Sequence, residues 1–101
     1  MIECSNTIFP GRHFFKVCRL YLTAFPKIER HRLSELFRAA RKGDSEFLRF
    51  SDEGEFIGLA YMIIRGSVAF LLYFAVDDRK RNRGYGSAIL DAIRARYEGK
   101  D

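Results

Sequence analysis

The sequence predicts a mixed α/β (α+β) domain in which three antiparallel strands follow two helices and precede a third helix. Two observations support this class. Apolar residues recur at three- and four-residue steps near both ends of the chain, which is typical of amphipathic helices. Between these regions lie three apolar or alternating segments with short connections that contain glycine, which predict strands joined by tight turns.

The composition indicates one small folded domain. The chain has 101 residues, of which 48% are hydrophobic and 15% aromatic, which is enough for one core. No apolar run approaches the roughly 20 residues of a membrane span, and the first residues lack a signal-peptide pattern. We therefore expect a cytoplasmic protein with reduced Cys4 and Cys18. His13 and His31 form no ligand-spaced cluster with these cysteines, so no metal is expected.

Weak signals precede a clear first helix. Residues 2–8 favour a short strand, and Pro10 with Gly11 favours a turn. The pattern of residues 14–25 predicts a helix, which Pro26 ends because the residue before a proline avoids helical angles. The expected buried face, which places Cys18 in the core, consists of Phe14, Val17, Cys18, Tyr21, Leu22 and Phe25.

A second helix is expected from about Lys27 to Arg41, because apolar residues again recur at helical spacing and Gly43 follows as a C-cap. Its expected buried side consists of Leu33, Leu36, Phe37 and Ala40. We expect His13 and His31 on the surfaces of these helices.

Three strands follow with short connections, which predicts an antiparallel meander. They cover residues 46–51, 55–65 and 68–76, with turns at residues 52–54 and 66–67. In the middle strand, one face is expected to consist of Ile57, Leu59, Tyr61 and Ile63. Gly58 within that strand predicts a bulge or a close approach of neighbouring backbone. The apolar run over residues 70–76 predicts that the last strand is buried.

The segment after the last strand combines a basic turn, two glycines and the start of a helix. Four of the residues from 79 to 83 are arginine or lysine, and Gly84-Tyr85-Gly86-Ser87 leads into an amphipathic helix that reaches Tyr97. The first amides of a helix have no partner within it, and the helix dipole places partial positive charge there. Glycines let an anion approach the backbone closely. The pattern favours an anion site, although Gly-x-Gly alone also fits an ordinary solvated loop.

The segment Arg81-Asn82-Arg83-Gly84-Tyr85-Gly86 follows an apolar strand that ends in Val76-Asp77. It resembles the acetyl-CoA signature Arg/Gln-x-x-Gly-x-Gly/Ala of the GCN5-related N-acetyltransferase (GNAT) superfamily. A Walker A loop would need Gly-Lys-Ser/Thr here, and a dinucleotide fingerprint would need glycine at Ile89. The order of elements also resembles the first half of the GNAT fold. The resemblance implies a single GNAT-like domain over residues 1–101, truncated after the third helix and lacking the family's later strands and fourth helix.

The resemblance implies an N-acetyltransferase that transfers an acetyl group from acetyl-CoA to a primary amine, with this chain carrying the half that binds the CoA pyrophosphate. Backbone groups of Phe74, Ala75 and Val76 would bind the pantetheine arm. The residues expected at the pyrophosphate are Arg81, Asn82, Arg83, Gly84, Tyr85, Gly86 and Ser87. Glu29 and Tyr73 are the candidate catalytic residues that would remove the amine proton. The alternatives for this pair are a solvated helix carboxylate and a packed aromatic.

Two other functions remain open. One is a non-catalytic interaction module, for example a homodimer, that pairs through the exposed edge of the fourth strand. The other is nucleic-acid binding, because the formal net charge is +5. The basic residues are densest in one loop and no RNA-binding or zinc-finger motif is present, which makes nucleic acid the less favoured partner. The sequence does not specify the acceptor amine.

Overall fold

The structure, a computed structural model, describes residues 2–7, 11 and 13–98. Its elements are β1 (Ile2–Asn6), α1 (Phe14–Ala24), α2 (Leu33–Lys42), β2 (Ser45–Asp52), β3 (Glu55–Arg65), β4 (Val68–Val76) and α3 (Tyr85–Arg96). Two further 3-10 turns cover Lys27–Glu29 and Asp78–Lys80. The predicted order of elements and the α+β class are confirmed. The predictions for Ile8 and Pro10 fall outside the described residues.

The four strands form one antiparallel sheet in the order β1-β2-β3-β4, so the predicted meander is confirmed. The β2–β3 connection turns at Glu53 (φ 52°) and Gly54 (φ 83°), the positive angles that a two-residue hairpin requires. Helices α1 and α2 cover one face of the sheet, and α3 covers the other. Within the described part of the chain, β4 is an edge strand.

A bulge in β3 changes which of its residues share a face. The pairing with β2 skips Ile57, which lies between the paired residues Phe56 and Gly58. Ile57 therefore packs in the layer of α3, whereas Leu59 packs in the layer of α1 and α2. The prediction that these two residues share a face was wrong, because a bulge shifts the alternation by one residue. The prediction of a bulge or a close backbone approach at Gly58 is confirmed, because the bulged residue Ile57 is adjacent and a Cβ at Gly58 would lie 2.6 Å from the carbonyl oxygen of Ala75.

Helix α2 begins at Leu33, so the predicted start near Lys27 was wrong. The predicted first turn is a separate 3-10 turn, and the residues after it are extended. Tyr21 donates a hydrogen bond to the carbonyl of His31 at 2.7 Å, and the amide of His31 donates to the hydroxyl of Tyr73 at 3.1 Å. These contacts satisfy backbone groups that a continuous helix would pair internally. His31 therefore lies outside any helix, contrary to the prediction.

Three predictions for α1 and its N-cap need correction. Leu22 is 48% exposed and Leu20 is buried in its place, because the buried stripe runs along a neighbouring line of the helix. Cys18 is only partly buried. His13 is not on the helix surface but at its N-cap, with φ 63°, and its Nε2 lies 3.0 Å from the carbonyl oxygen of Gly54.

Only the second part of β4 is buried, so the prediction of a fully buried strand was wrong. Phe70, Leu71 and Leu72 are 57%, 42% and 42% exposed, whereas Tyr73 and Ala75 lie in the core. An edge strand has a neighbour on one side only, which leaves more of its apolar surface uncovered.

None of the helices in residues 13–98 has the length and apolar character needed to cross a bilayer. The described residues also contain no cluster of three or more histidine, cysteine or carboxylate side chains placed to hold a metal ion.

Candidate functional site

A groove of about 430 Å³ lies where β4 ends, the basic turn passes and α3 begins. It is lined by Phe74, Ala75 and Val76 from β4, by Lys80, Arg81, Asn82, Gly84, Tyr85 and Gly86 from the turn and the helix start, and by Ala24 and Phe25 from the end of α1. All the predicted cofactor residues except Arg83 and Ser87 therefore lie around one concave surface.

The start of α3 presents free amides beside this groove. Gly84 is the N-cap with φ 79°, and Asn82 is also left-handed with φ 64°. The first hydrogen bond of the helix joins the amide of Ala88 to the carbonyl of Gly84 at 3.2 Å. The amides of residues 85–87 therefore have no acceptor within the helix. A Cβ at Gly86 would have no atom within 4 Å, so an anion has room to approach.

The end of β4 contributes backbone groups to the same groove. The amide of Asp77 donates to a carbonyl of β3 at 2.8 Å. Because an antiparallel ladder alternates, the backbone groups of Ala75 point towards β3 and those of Phe74 and Val76 point towards the open edge. The carbonyl of Val76 accepts a hydrogen bond from Nε of Arg81 at 3.3 Å. Outward backbone groups of this kind can bind an extended ligand as a neighbouring strand would.

Positive side chains surround the groove to different degrees. The guanidinium of Arg81 lies 2.9 Å from the carboxylate of Asp78, and both side chains are more than half exposed. Exposed ion pairs of this kind contribute little net stability, so Arg81 can exchange this partner for a ligand phosphate. Lys80 is held more closely, because its Nζ lies 2.7 Å from Glu55 and its side chain is 19% exposed. Arg83 is exposed.

The two candidate catalytic residues meet, but through the backbone of Glu29. The hydroxyl of Tyr73 donates to the carbonyl of Glu29 at 2.8 Å and accepts from the amide of His31 at 3.1 Å. Tyr73 is 6% exposed, so its hydroxyl is committed to these backbone groups. Glu29 is exposed. Neither residue lines the groove of about 430 Å³.

Two acidic residues of the β2–β3 hairpin hold the basic turn in place, and the sequence did not predict them. Glu55 binds Lys80, and Asp52 accepts a hydrogen bond of 2.8 Å from the hydroxyl of Tyr85. The bond to Asp52 raises the pKa of Tyr85. Because β3 and β4 are antiparallel, the start of β3 lies beside the end of β4. The predicted meander therefore implied that the acidic residues of the β2–β3 turn lie near the basic turn after β4.

A larger groove of about 980 Å³ lies away from the loop, between α2 and the β1–β2 side of the sheet. Its lining includes Phe14, Phe37, Arg38 and Arg41, and no residue of the basic turn. Size alone would favour this groove. We place the candidate site in the smaller groove because free helix amides, outward strand groups and positive charge converge there.

The sequence and the fold of this chain are similar to those of known proteins. The sequence matches the family model described as Acetyltransferase (GNAT) family over residues 14–100. No curated protein matches the chain. Among solved structures, a protein from Bacteroides thetaiotaomicron assigned to the GNAT acetyltransferases superposes with a TM-score of 0.85 at 21% identity, covering 95% of this chain and 56% of that one.

Two further solved structures share the fold. The ribosomal-protein-S18-alanine N-acetyltransferase from Escherichia coli has a TM-score of 0.70 at 18% identity, covering 97% of this chain and 60% of that one. The N-acetylglutamate synthase from Neisseria gonorrhoeae, complexed with coenzyme A and N-acetyl-glutamate, has a TM-score of 0.65 at 14% identity, covering 98% of this chain and 23% of that one.

This chain thus spans 56% and 60% of the length of the first two structures. At these identities the structural likeness shows the fold, and the family is shown by the sequence match. Since that match extends over residues 14–100, the chain belongs to the GNAT family of acetyltransferases.

Proposed function

We propose that this chain binds acetyl-CoA in the groove of about 430 Å³ and takes part in transferring the acetyl group to a primary amine. The observation that carries the proposal is the convergence of the free amides of Tyr85 and Gly86, the outward backbone of Val76 and the side chain of Arg81 on one groove. Membership of the GNAT family supports acetyl transfer as the reaction class. It also favours this function over a module that acts only by strand pairing.

The proposed roles follow from the chemistry of thioester aminolysis. The amine nitrogen attacks the carbonyl carbon, the C–S bond breaks and the thiolate of CoA leaves. The reaction needs an aligned thioester, an acceptor for the amine proton and a donor to the developing oxyanion. We assign the diphosphate to the amides of residues 85–87 and to Arg81, and the pantetheine arm to the outward backbone groups of Phe74. Ala75 is not assigned to the ligand, because its backbone groups point towards β3. The amide of Val76 is the proposed donor to the thioester carbonyl.

The contacts of the two catalytic candidates suggest different roles for them. The hydroxyl of Tyr73 is held between two backbone groups, and it fixes the position of Glu29 beside β4. We therefore propose Glu29, whose side chain is exposed, as the proton acceptor, acting directly or through a water molecule. The chemical identity of the amine stays open in this proposal, and dimerisation through the edge of β4 and a cytoplasmic location stay predictions.

Substituting Gly86 tests the proposal, because a side chain there would enter the space assigned to the diphosphate. A Cβ at Gly86 meets no atom within 4 Å, so Gly86→Leu is expected to fold. Ala95→Leu, at an exposed position near the other end of α3, is the matched control. We expect acetyl-CoA, titrated against the isotopically labelled chain, to shift the amide resonances of residues 82–87 in the wild type and in the control.

In the same titration, Gly86→Leu is expected to weaken binding by about tenfold or more, because a helix start binds an anion only when the amides are accessible. Pantetheine, which lacks the diphosphate, should bind Gly86→Leu and the wild type alike. Equal affinity of Gly86→Leu and wild type for acetyl-CoA, or resonance shifts confined to the groove beside Arg38 and Arg41, would refute the assignment of the site.

A further inference from the structure

Helix α3 is attached to β2 at both of its ends by a tyrosine and a carboxylate. Tyr85, the first residue of the helix, donates to Oδ2 of Asp52, the last residue of β2, at 2.8 Å. Tyr97, directly after the helix, donates to Oε1 of Glu46 near the start of the same strand. Both contacts are partly buried. The chain thus contains two similar attachments, of which only the first is next to the proposed diphosphate site.

The first attachment fixes Tyr85, which carries the first of the free amides at the start of α3. Tyr85 lies between Gly84 and Gly86, and neither glycine has a side chain that could fix the helix start. Asp52 pairs with Glu55 across the β2–β3 turn, and Glu55 holds Lys80 at 2.7 Å. The two carboxylates at the end of one hairpin therefore hold both ends of the stretch from Lys80 to Tyr85.

We propose that Asp52, acting through Tyr85, is a positioning residue for the diphosphate of acetyl-CoA. A helix start binds an anion well only when its amides already point at the anion, and the Asp52–Tyr85 bond fixes the first of these amides. This inference rests on the proposed function. The contact between Tyr97 and Glu46 stabilises the same helix at its other end, without a role in binding.

Because Asp52 is negatively charged, substitutions can distinguish a positioning role from an electrostatic effect on the ligand. Asp52 does not line the groove, but its negative charge near the helix start opposes the binding of an anion. Asp52→Asn removes this charge and keeps an oxygen that can accept from Tyr85. It is therefore expected to bind acetyl-CoA as tightly as the wild type or more tightly, whereas Tyr85→Phe removes the positioning bond and keeps the charge.

The experiment compares Tyr85→Phe with the matched control Tyr97→Phe. Each variant is measured for its melting temperature and for its dissociation constant with acetyl-CoA. We expect both variants to melt at a lower temperature, because each loses one bond to β2. Only Tyr85→Phe is expected to bind acetyl-CoA more weakly, by about fivefold, the scale of one lost intramolecular hydrogen bond of ordinary strength.

Hydrogen exchange gives a second readout in the free protein. The amide of Ala88 makes the first hydrogen bond of α3, so its exchange should accelerate in Tyr85→Phe and stay unchanged in Tyr97→Phe. Unchanged affinity in Tyr85→Phe, or an equal loss of affinity in Tyr97→Phe, would overturn the inference. If wild type does not bind acetyl-CoA, the proposed function fails, and equal exchange of Ala88 in the two variants would then separately overturn the positioning role.

Discussion

Gly58 on β3 lies so close to Ala75 on β4 that a Cβ on the glycine would be 2.6 Å from the carbonyl oxygen of the alanine. The same Cβ would lie 3.0 Å from Cδ1 of Ile89 on α3. A flexible side chain can move away, but the backbone of a paired strand cannot do so without disturbing the ladder. Two strands and a helix therefore meet at the one position in β3 that has no side chain, next to the end of β4 where the candidate site begins.

Gly58→Ala is expected to lower the free energy of unfolding by about 1–3 kcal/mol, because the added methyl group displaces β4 at Ala75. It should also weaken the binding of acetyl-CoA, since the displaced strand end lines the groove. Gly86→Ala is the control: its Cβ meets open space, and alanine is the better helix residue, so we expect a gain of up to about 0.5 kcal/mol. Urea unfolding measures both values, and equal stability of the two variants would contradict this reading of the contact.

Arg81→Ala is expected to weaken acetyl-CoA binding by about tenfold, because the guanidinium is the side chain placed to make a charge-assisted bond to a phosphate. Arg81→Gln should lose less, because glutamine also occupies this position in the signature that the loop resembles. The effect of Arg81→Ala should shrink at high ionic strength, since exposed charges are screened.

The control for Arg81 is Arg94→Ala. Arg94 is also exposed and also pairs with an aspartate three residues before it, Asp91, at 3.1 Å, but it lies near the other end of α3. Calorimetric titration at two salt concentrations measures all the variants. Equal losses of affinity in Arg81→Ala and Arg94→Ala would show that general charge, rather than the position of Arg81, controls binding.

The order of elements and the loop could be predicted because their signals are contiguous in the chain. Helical spacing, alternating strands and glycine-containing turns act over a few residues, and the Gly84-Tyr85-Gly86 segment lies at the helix start that it forms. The start of α2 could not be predicted in this way. It depends on the hydroxyls of Tyr21 and Tyr73, which reach His31 from other elements.

The parts of the candidate site that were missed depend on strand register. Asp52 and Tyr85 are 33 residues apart, and their contact exists only because β2 and β3 pair with a turn of two residues. The bulge at Ile57 likewise decides which residues of β3 share a face. Phe70 is exposed because β4 lies at the edge of the sheet. These are properties of the assembled sheet, which local periodicity does not encode.

Tyr73→Phe is expected to lower the free energy of unfolding by about 1–3 kcal/mol, because it leaves the carbonyl of Glu29 and the amide of His31 without their shared partner. Amide exchange at His31 should accelerate more than exchange in α2. Glu29→Gln is the control, since it changes an exposed carboxylate without touching the backbone bond, and it should unfold at the denaturant concentration of the wild type. A stable Tyr73→Phe variant with unchanged exchange at His31 would remove the structural role and return Tyr73 to the catalytic candidates.

Glu46 predicts a specific dependence of stability on pH. Its carboxylate accepts from Nε and Nη2 of Arg96 at 3.2 and 2.9 Å and from the hydroxyl of Tyr97. The hydrogen bonds from Arg96 hold the pKa of Glu46 below its usual value, with a smaller contribution from Tyr97 and against the effect of burial. The folded protein therefore releases this proton more readily than the unfolded chain, in which the pKa of glutamate is about 4.3. Such a group stabilises the fold fully above its unfolded pKa, and the contribution is lost as the pH falls through its folded pKa.

Glu46→Gln should accordingly be less stable than the wild type by an amount that is largest above about pH 5 and shrinks as the pH falls below about 4. Chemical unfolding of both proteins over a pH range that extends beyond both limits measures the difference. Arg96→Gln removes the main cause of the lowered pKa, so in that background Glu46→Gln should have a smaller effect that varies less with pH. A difference between Glu46→Gln and wild type that stays constant across the acid range would mean that the contacts with Arg96 and Tyr97 act through packing alone. The attachment of α3 to β2 at this end would then depend on shape rather than on the charge of the carboxylate.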